Sequence, residues 1–246
     1  MDIKAEKITP YGSNATKTDQ VKDMFDSIAP AYDFMNRAMT FGIDKTWRKI
    51  AVNILKKQNP KTLLDVATGT GDLAFLLHKV IKPDQITGID LSSQMLSIAE
   101  IKAKKVGLEN SIKFEQGNCL ELKYQDNCFD AITVAYGVRN FENLRKGYSE
   151  MFRVLNTNGT LCVIELSTPP NSFIKWIYDF YTKYLIPFVG KLISKDKRAY
   201  AYLPESIAAV PQGNDMLEIM QEAGFKNCYF KRLTFGVCTI YIGKKQ

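Results

Sequence analysis

The chain has 246 residues, of which 46% are hydrophobic and 24% charged, the composition of an ordinary globular protein. Collagen-like, disordered and coiled-coil classes are excluded, and the length accommodates one sizeable core with an appendage. Lys and Arg number 33 against 26 Asp and Glu, a formal charge of +7 that admits a membrane surface or nucleic acid as partner without selecting either.

In chain order, residues 1–20 are polar, with Gly12, Ser13, Asn14, Thr16 and Thr18, and read as a loose tail. The opening MDIKAEKITP lacks the apolar core of a secretory signal, so export is not expected. Residues 21–60 predict a helical cap, ending near Asn59-Pro60 because the residue before a proline is pushed out of the helical region. Within it, FDSIAPAYDFMNRAMTFGIDKTWR mixes apolar and aromatic residues with Asp26, Asp33, Asn36 and Arg37 and has no clean polar face. A helix that covers a cleft and one that only packs share that character.

From Lys61 to the end, residues 61–246, short apolar runs alternate with amphipathic segments. KTLLDVA, QITGID, IKFEQ, FDAITVAY and TLCVIEL predict strands. DLAFLLHKV, SSQMLSIAEIKAKKV and ENLRKGYSEMFRVL predict helices, two of them stopped by Gly107 and by Asn158-Gly159. Such alternation implies right-handed crossovers and a parallel sheet with helices on both faces. After the helix NDMLEIMQEAG come FKNCYFKRL and FGVCTIYIG, joined by a link too short for a parallel crossover. The expected fold is α/β, with a mostly parallel seven-stranded sheet and an antiparallel C-terminal edge strand.

Asp65-Val-Ala-Thr-Gly-Thr-Gly-Asp-Leu-Ala follows a strand and opens a helix, the context of a nucleotide-binding loop. Gly69 and Gly71 remove side chains where backbone must approach a ligand. A dinucleotide would set its pyrophosphate on the helix N-terminus, where Asp65 and Asp72 disfavour it. S-adenosylmethionine carries a sulfonium and an α-ammonium, and carboxylates around the loop suit it better. Asp90 ends the second strand 21 residues beyond Gly69, where an acidic side chain accepts hydrogen bonds from ribose hydroxyls; Ser92 or Ser93 can cap the next helix in its place. Asn118, after the third strand, lies where the adenine edge would fall, though a turn-forming Asn is an equal account.

The fourth strand runs into Ala135-Tyr-Gly-Val-Arg-Asn140, and ligands of open α/β sheets sit beyond the carboxyl ends of strands, so Arg139 and Asn140 should face the reacting groups. Residues 173–202 hold nine aromatics where the chain average gives about three. Phe173, Trp176, Ile177, Phe180, Tyr181 and Tyr184 share one helical face, and Lys191, Lys195, Lys197 and Arg198 follow. That pattern suits a lid spanning about 171–212 over an apolar ligand, contact with an anionic bilayer, or simple packing on the sheet. The five cysteines have no CxxC spacing and His78 is the single histidine, so neither a zinc site nor a disulfide frame is expected. The dispersed basic residues, and the absence of an Asn/Asp-Pro-Pro-aromatic turn after the fourth strand, argue against nucleic acid.

From about Val21 to Gly243 the sequence resembles the ubiquinone/menaquinone biosynthesis C-methyltransferase family, on FDSIAPAYDFMNRAMTFGIDKTWR, LLDVATGTGDLA, YGVRNFEN, MFRVLNTNGTLCVIELSTPP and YLPESIAAVP. The glycine loop is common to Rossmann-like methyltransferases; AYDFMN, YGVRN and YLPESI are more restrictive. The resemblance implies a Rossmann-like class I methyltransferase fold, S-adenosylmethionine as cofactor, and contacts to it at Thr70, Asp90 and Asn118-Cys119. Cys119 stands where the family usually has Ala, which leaves a backbone N–H contact intact; Ala135 replaces a common Ser and loses a hydroxyl. The implied reaction is methylation of a ring carbon of a prenylated naphthoquinol, the last step of menaquinone biosynthesis, with a prenylated benzoquinol of ubiquinone biosynthesis as the alternative acceptor. A cofactor-binding scaffold without turnover is the non-enzymatic alternative. Arg139 is then expected to stabilise the quinol phenolate with Asn140 beside it, and Tyr32 and Asp33 to orient or deprotonate the quinol. The expected setting is cytoplasmic, with peripheral contact on the inner face of the membrane and self-association left open.

Overall fold

The computed structural model describes residues 3–185 and 196–246. The alternation beginning at Lys61 becomes seven strands: β1 (Thr62–Val66), β2 (Gln85–Asp90), β3 (Ile112–Gln116), β4 (Phe129–Ala135), β5 (Leu155–Leu166), β6 (Lys226–Leu233) and β7 (Cys238–Lys244). They form one sheet in the order β3-β2-β1-β4-β5-β7-β6. The first five are parallel, and β7 runs antiparallel to both β5 and β6. The last strand of the chain is therefore internal, and β6 forms the edge expected of it. Burial gives the reason: β7 is buried from Cys238 to Gly243, whereas β6 is exposed or half-buried at every residue before Leu233.

Ten α-helices surround the sheet among the described residues: α1 (Lys4–Lys7), α2 (Lys17–Ile28), α3 (Tyr32–Thr40), α4 (Asp44–Lys56), α5 (Asp72–Ile81), α6 (Ser93–Lys105), α7 (Leu144–Val154), α8 (Ser172–Phe180), α9 (Lys197–Ala209) and α10 (Asn214–Glu222). One sheet face packs Leu63, Ile86 and Ile164 against Trp47, Val52 and Leu77. The other packs Leu64, Ile132 and Val163 against Tyr148, Met151 and Ile219. A third cluster, built from Met24, Ile28, Met35, Tyr200 and Tyr202, joins α2, α3 and α9.

Two details differ from expectation. The start of the polar tail is packed: Ile3 and Ala5 are 2% and 3% exposed in the core, and Glu6 accepts from the Leu144 backbone N–H at 2.7 Å, while residues 12–16 are exposed. Their anchors are side-chain bonds to distant backbone, which polar composition conceals. The segment expected as a helical cap is helical, in separate helices divided by a 3₁₀ turn at Ala29–Ala31, which contains Pro30, and by Phe41 and Gly42 with φ of 51° and 75°. Helix α7 passes directly into β5 at Leu155, so Asn158-Gly159 lies inside the strand, where the β4–β5 register shifts, and stops no helix.

Helix α8 leaves its aromatic face uncovered. Phe173, Trp176, Phe180 and Tyr184 are between 62% and 69% exposed, so simple packing on the sheet does not describe it. Tyr178 and Tyr181 face inward, and the Tyr181 hydroxyl donates to the Met39 carbonyl at 2.5 Å. Phe188, Lys191 and Lys195, and the side chain of Lys197, lie outside the described residues. Among the described residues no helix is long and apolar enough to cross a membrane.

Candidate active site

The carboxyl ends of β1 and β2 and the segments after β1, β3 and β4, with Tyr32 and Asp33 of α3, bring the predicted site residues other than Gly71 into the adjoining cavities of one cleft beneath α2 and α3. The two glycines of the loop have different jobs. A Cβ on Gly69 would meet only the Tyr32 ring, at 3.8 Å, so this position opens to the cleft. A Cβ on Gly71 would come within 2.9 Å of Phe114 and 3.0 Å of Phe75. Gly71, with φ of 83°, therefore admits the packing of α5 beside β3, while Gly69 leaves the cleft open.

Two carboxylates face this cleft without a cationic partner in hydrogen-bond reach among the described residues. Asp65, 1% exposed, accepts from the Thr68 and Thr133 hydroxyls at 2.6 Å each, and burial pushes its carboxyl up to about 6. Asp90 accepts from the Gly69 and Ser92 backbone N–H groups at 2.8 and 2.9 Å, and burial also pushes it up to about 6. Ser92 caps α6 by accepting from Met95 N–H, so Asp90 is not spent as the cap. Each carboxylate oxygen retains acceptor capacity.

The other two acids of the loop region differ. Lys102 lies 2.6 Å from Asp33 and 2.8 Å from Asp72, and Arg37 reaches Asp72 at 3.8 Å. The Asp72 charge, which the sequence reading places at the ligand, is thus neutralised within the protein. Asp33 also accepts from the Thr70 hydroxyl at 2.5 Å. Lys102 and Thr70 together bind Asp33 against the glycine loop.

Three cavities meet at Tyr32. The first runs past Gly69, Asp90, Asn118 and Cys119 to Asn140. Asn118 accepts from Leu120 N–H at 2.9 Å, the turn-forming role anticipated as its alternative, while still lining the cavity. The second holds Asp65, Thr70 and Arg48. The third is walled by Met24, Met35, Met39 and Tyr200 and receives Arg139 and Asn140.

Arg139 occupies a 3₁₀ turn, Val138–Asn140, and is 6% exposed. Its Nη1 donates to Glu165 at 2.8 Å and to the Tyr136 carbonyl, while Nε is buried without a partner among the described residues. Burial opposes the Arg139 charge, but Glu165, 1% exposed, more than restores it. Lys17 donates to the Arg139 carbonyl at 3.2 Å, and burial pushes its ammonium down to about 8. Asn140 accepts from the Tyr202 hydroxyl at 3.1 Å, which turns its amide N–H₂ elsewhere. Burial raises the Tyr32 phenol, so it is protonated at neutral pH.

Sequence reasoning missed Glu165, Lys102 and Lys17. Glu165 had a signal, an acid in the otherwise apolar run TLCVIEL. Lys102 and Lys17 had none, the first in a lysine-rich helix end and the second in a polar segment.

The model of the ubiE/COQ5 methyltransferase family matches residues 13–245. The chain is 48% identical over 245 residues to the demethylmenaquinone methyltransferase of Bacteroides fragilis, covering 100% of both chains. It is 45% identical over 241 residues to the demethylmenaquinone methyltransferase of Porphyromonas gingivalis, covering 98% of both. Among solved structures, an S-adenosylmethionine-dependent methyltransferase of Thermotoga maritima superposes with a TM-score of 0.64 at 17% identity, over 92% of this chain and 99% of that one. That last likeness concerns the fold.

Proposed function

Because the chain belongs to the ubiE/COQ5 methyltransferase family, we propose that it methylates a ring carbon of demethylmenaquinol to give menaquinol, with S-adenosylmethionine as methyl donor. The observation that carries the reading is the junction at Tyr32, where a cleft lined by carboxylates meets an apolar cavity containing a buried guanidinium. The cleft fits the donor: Asp65 and Asp90 supply negative charge, Gly69 leaves room, and Ile89, Leu91 and Cys119 offer apolar wall to an adenine. Asp90 would accept from ribose hydroxyls, Cys119 N–H would meet the adenine edge, and Thr70 would border the amino-acid end. When bound, S-adenosylmethionine supplies an electrophilic methyl group.

The chain's own residues act on the quinol. A phenol titrates near 10, roughly, so its anion needs stabilisation at neutral pH. Arg139 is always protonated and cannot serve as base, but its buried guanidinium lowers the energy of a phenolate placed against it once the phenol has given its proton to solvent; the anion makes the adjacent ring carbon nucleophilic, and that carbon releases its own proton to solvent after taking the methyl group. Glu165 holds the guanidinium in place. Tyr32, protonated, orients the quinol by hydrogen bonding and does not deprotonate it. The methionine and tyrosine walls exclude water and suit a ring with a prenyl tail.

The uncovered aromatics of α8, with Phe34 and Phe41 at 61% and 83% exposure on and beside α3, support peripheral contact with the membrane that holds such a quinol. The Phe41 and Tyr181 rings lie 6.2 Å apart, which joins the two elements.

The test is incubation with methyl-labelled S-adenosylmethionine and reduced demethylmenaquinone. Label is expected in the quinone, and Arg139→Gln should lower turnover by about 10²–10³ while S-adenosylhomocysteine affinity changes little. Cofactor binding without label transfer to any quinol overturns the reading in favour of a scaffold.

A further inference from the structure

Arg48 takes no part in the chemistry above, yet it lies in the cleft. It comes from α4, is 7% exposed, and pairs through Nη1 with Asp44, itself 2% exposed. Asp44 is held in turn by the Thr40 hydroxyl at 2.9 Å, and the Arg48 guanidinium stands 5.2 Å from the centroid of the Tyr136 ring. The side chain is thus fixed from two sides while lining the cavity that also contains Asp65 and Thr70.

The charges around that cavity sort themselves. Asp33 and Asp72 are engaged by Lys102, whose ammonium also bonds the Thr70 carbonyl and hydroxyl at 3.1 and 3.0 Å, so its donors are occupied. Arg37 is half exposed and aimed at Asp72. Asp44 does not line the cavity. What remains facing the space is a buried guanidinium and a buried carboxylate, complementary to the zwitterionic head of an α-amino acid. Resting on the reading of the chain as an S-adenosylmethionine-dependent enzyme, we infer that Arg48 binds the α-carboxylate of the cofactor while Asp65 receives its α-ammonium.

A guanidinium meets a carboxylate through parallel N–H···O bonds, and a site withdrawn from water strengthens the pairing. The N-terminal helical segment therefore completes the cofactor site: the glycine loop and sheet hold the nucleoside and the ammonium, and α4 selects for an intact methionine head.

Calorimetry on the full chain tests this with S-adenosylhomocysteine, its decarboxylated analogue, and 5′-methylthioadenosine, which lacks the head altogether. The wild type should prefer S-adenosylhomocysteine over the decarboxylated analogue by on the order of 10- to 100-fold. Arg48→Gln should erase that preference and leave affinity for the decarboxylated analogue and for methylthioadenosine unchanged. Arg48→Lys should restore part of the preference, since charge survives without the planar fork. Equal weakening of all three ligands in Arg48→Gln assigns the residue a purely structural role and overturns the proposal. So does a wild type that binds the carboxylated and decarboxylated forms alike, a comparison that needs no variant to fold. A wild type that binds none of the three overturns the methyltransferase reading itself and this inference with it.

Discussion

Asp65 shows how one residue couples the fold to the ligand. Its carboxyl is raised from 3.8 to about 6 by burial, so the folded state holds the proton more tightly than the unfolded chain. Stability from this group is fully present below pH 4 and is lost as pH rises through 6, because ionisation is then unfavourable in the folded state only. A cationic ligand beside Asp65 reverses the preference by favouring the ionised form. Affinity for S-adenosylmethionine, measured by calorimetry, should therefore be about 10-fold weaker at pH 5 than at pH 7.5, the fraction ionised for a pKa near 6 setting that ratio. Asp65→Asn should shrink the pH dependence to the part that Asp90, also raised to about 6, contributes, and a flat profile in the wild type removes Asp65 from the site. Its place before the glycine loop is what suggests Asp65 as a cofactor carboxylate. Its neighbour Asp72 was equally legible and misleading, because the ammonium of Lys102 that neutralises it is 30 residues away in sequence.

At the scale of elements, α8 is informative by what does not cover it. Nine-residue helices with an apolar stripe normally bury that stripe, and this one turns Phe173, Trp176 and Phe180 to the outside. Burying a large apolar side chain is worth about 1.5–3 kcal/mol, so Phe173→Ser with Trp176→Ser should weaken binding to anionic lipid vesicles by more than about 10-fold. Co-sedimentation checks this. Methyl transfer to a short-tailed, water-soluble quinol should be unchanged in the same variant, since neither residue lines the cavities at Tyr32. Vesicle binding that survives the double substitution assigns membrane contact to another face. Periodicity located the stripe. It could not say whether sheet, lid or lipid would meet it, because an apolar face has no intrinsic partner.

For the whole molecule, the N-terminal segment acts as a clasp across the cleft. Lys17 reaches the Arg139 carbonyl, Thr18 bonds Glu142, and Phe25 and Tyr32 line the cavity beside Gly69. A ligand held between clasp and sheet must stabilise both. At 100 times its dissociation constant it contributes about 2.7 kcal/mol, so S-adenosylhomocysteine should raise the melting midpoint by roughly 5–10 °C. A chain lacking residues 1–16 should melt lower and show a smaller rise, because Ile3, Ala5 and Glu6 no longer anchor the segment. An unchanged rise in differential scanning calorimetry would detach the clasp from ligand binding.

The amino-acid sequence by itself determined the alternation of strands and helices, the parallel sheet with its antiparallel end, and the glycine loop with Asp65 and Asp90 beside it, since each of these is written in residues close together along the chain. Only the tertiary structure decided which strand forms the edge, which carboxylates remain unpaired, and that Glu165, Lys17 and Arg48 converge on the cleft. The reason is physical. Local patterns fix backbone conformation within a few residues, whereas charge pairing and burial depend on distances that exist only after segments more than a hundred residues apart, such as Lys17 and Arg139, have come together.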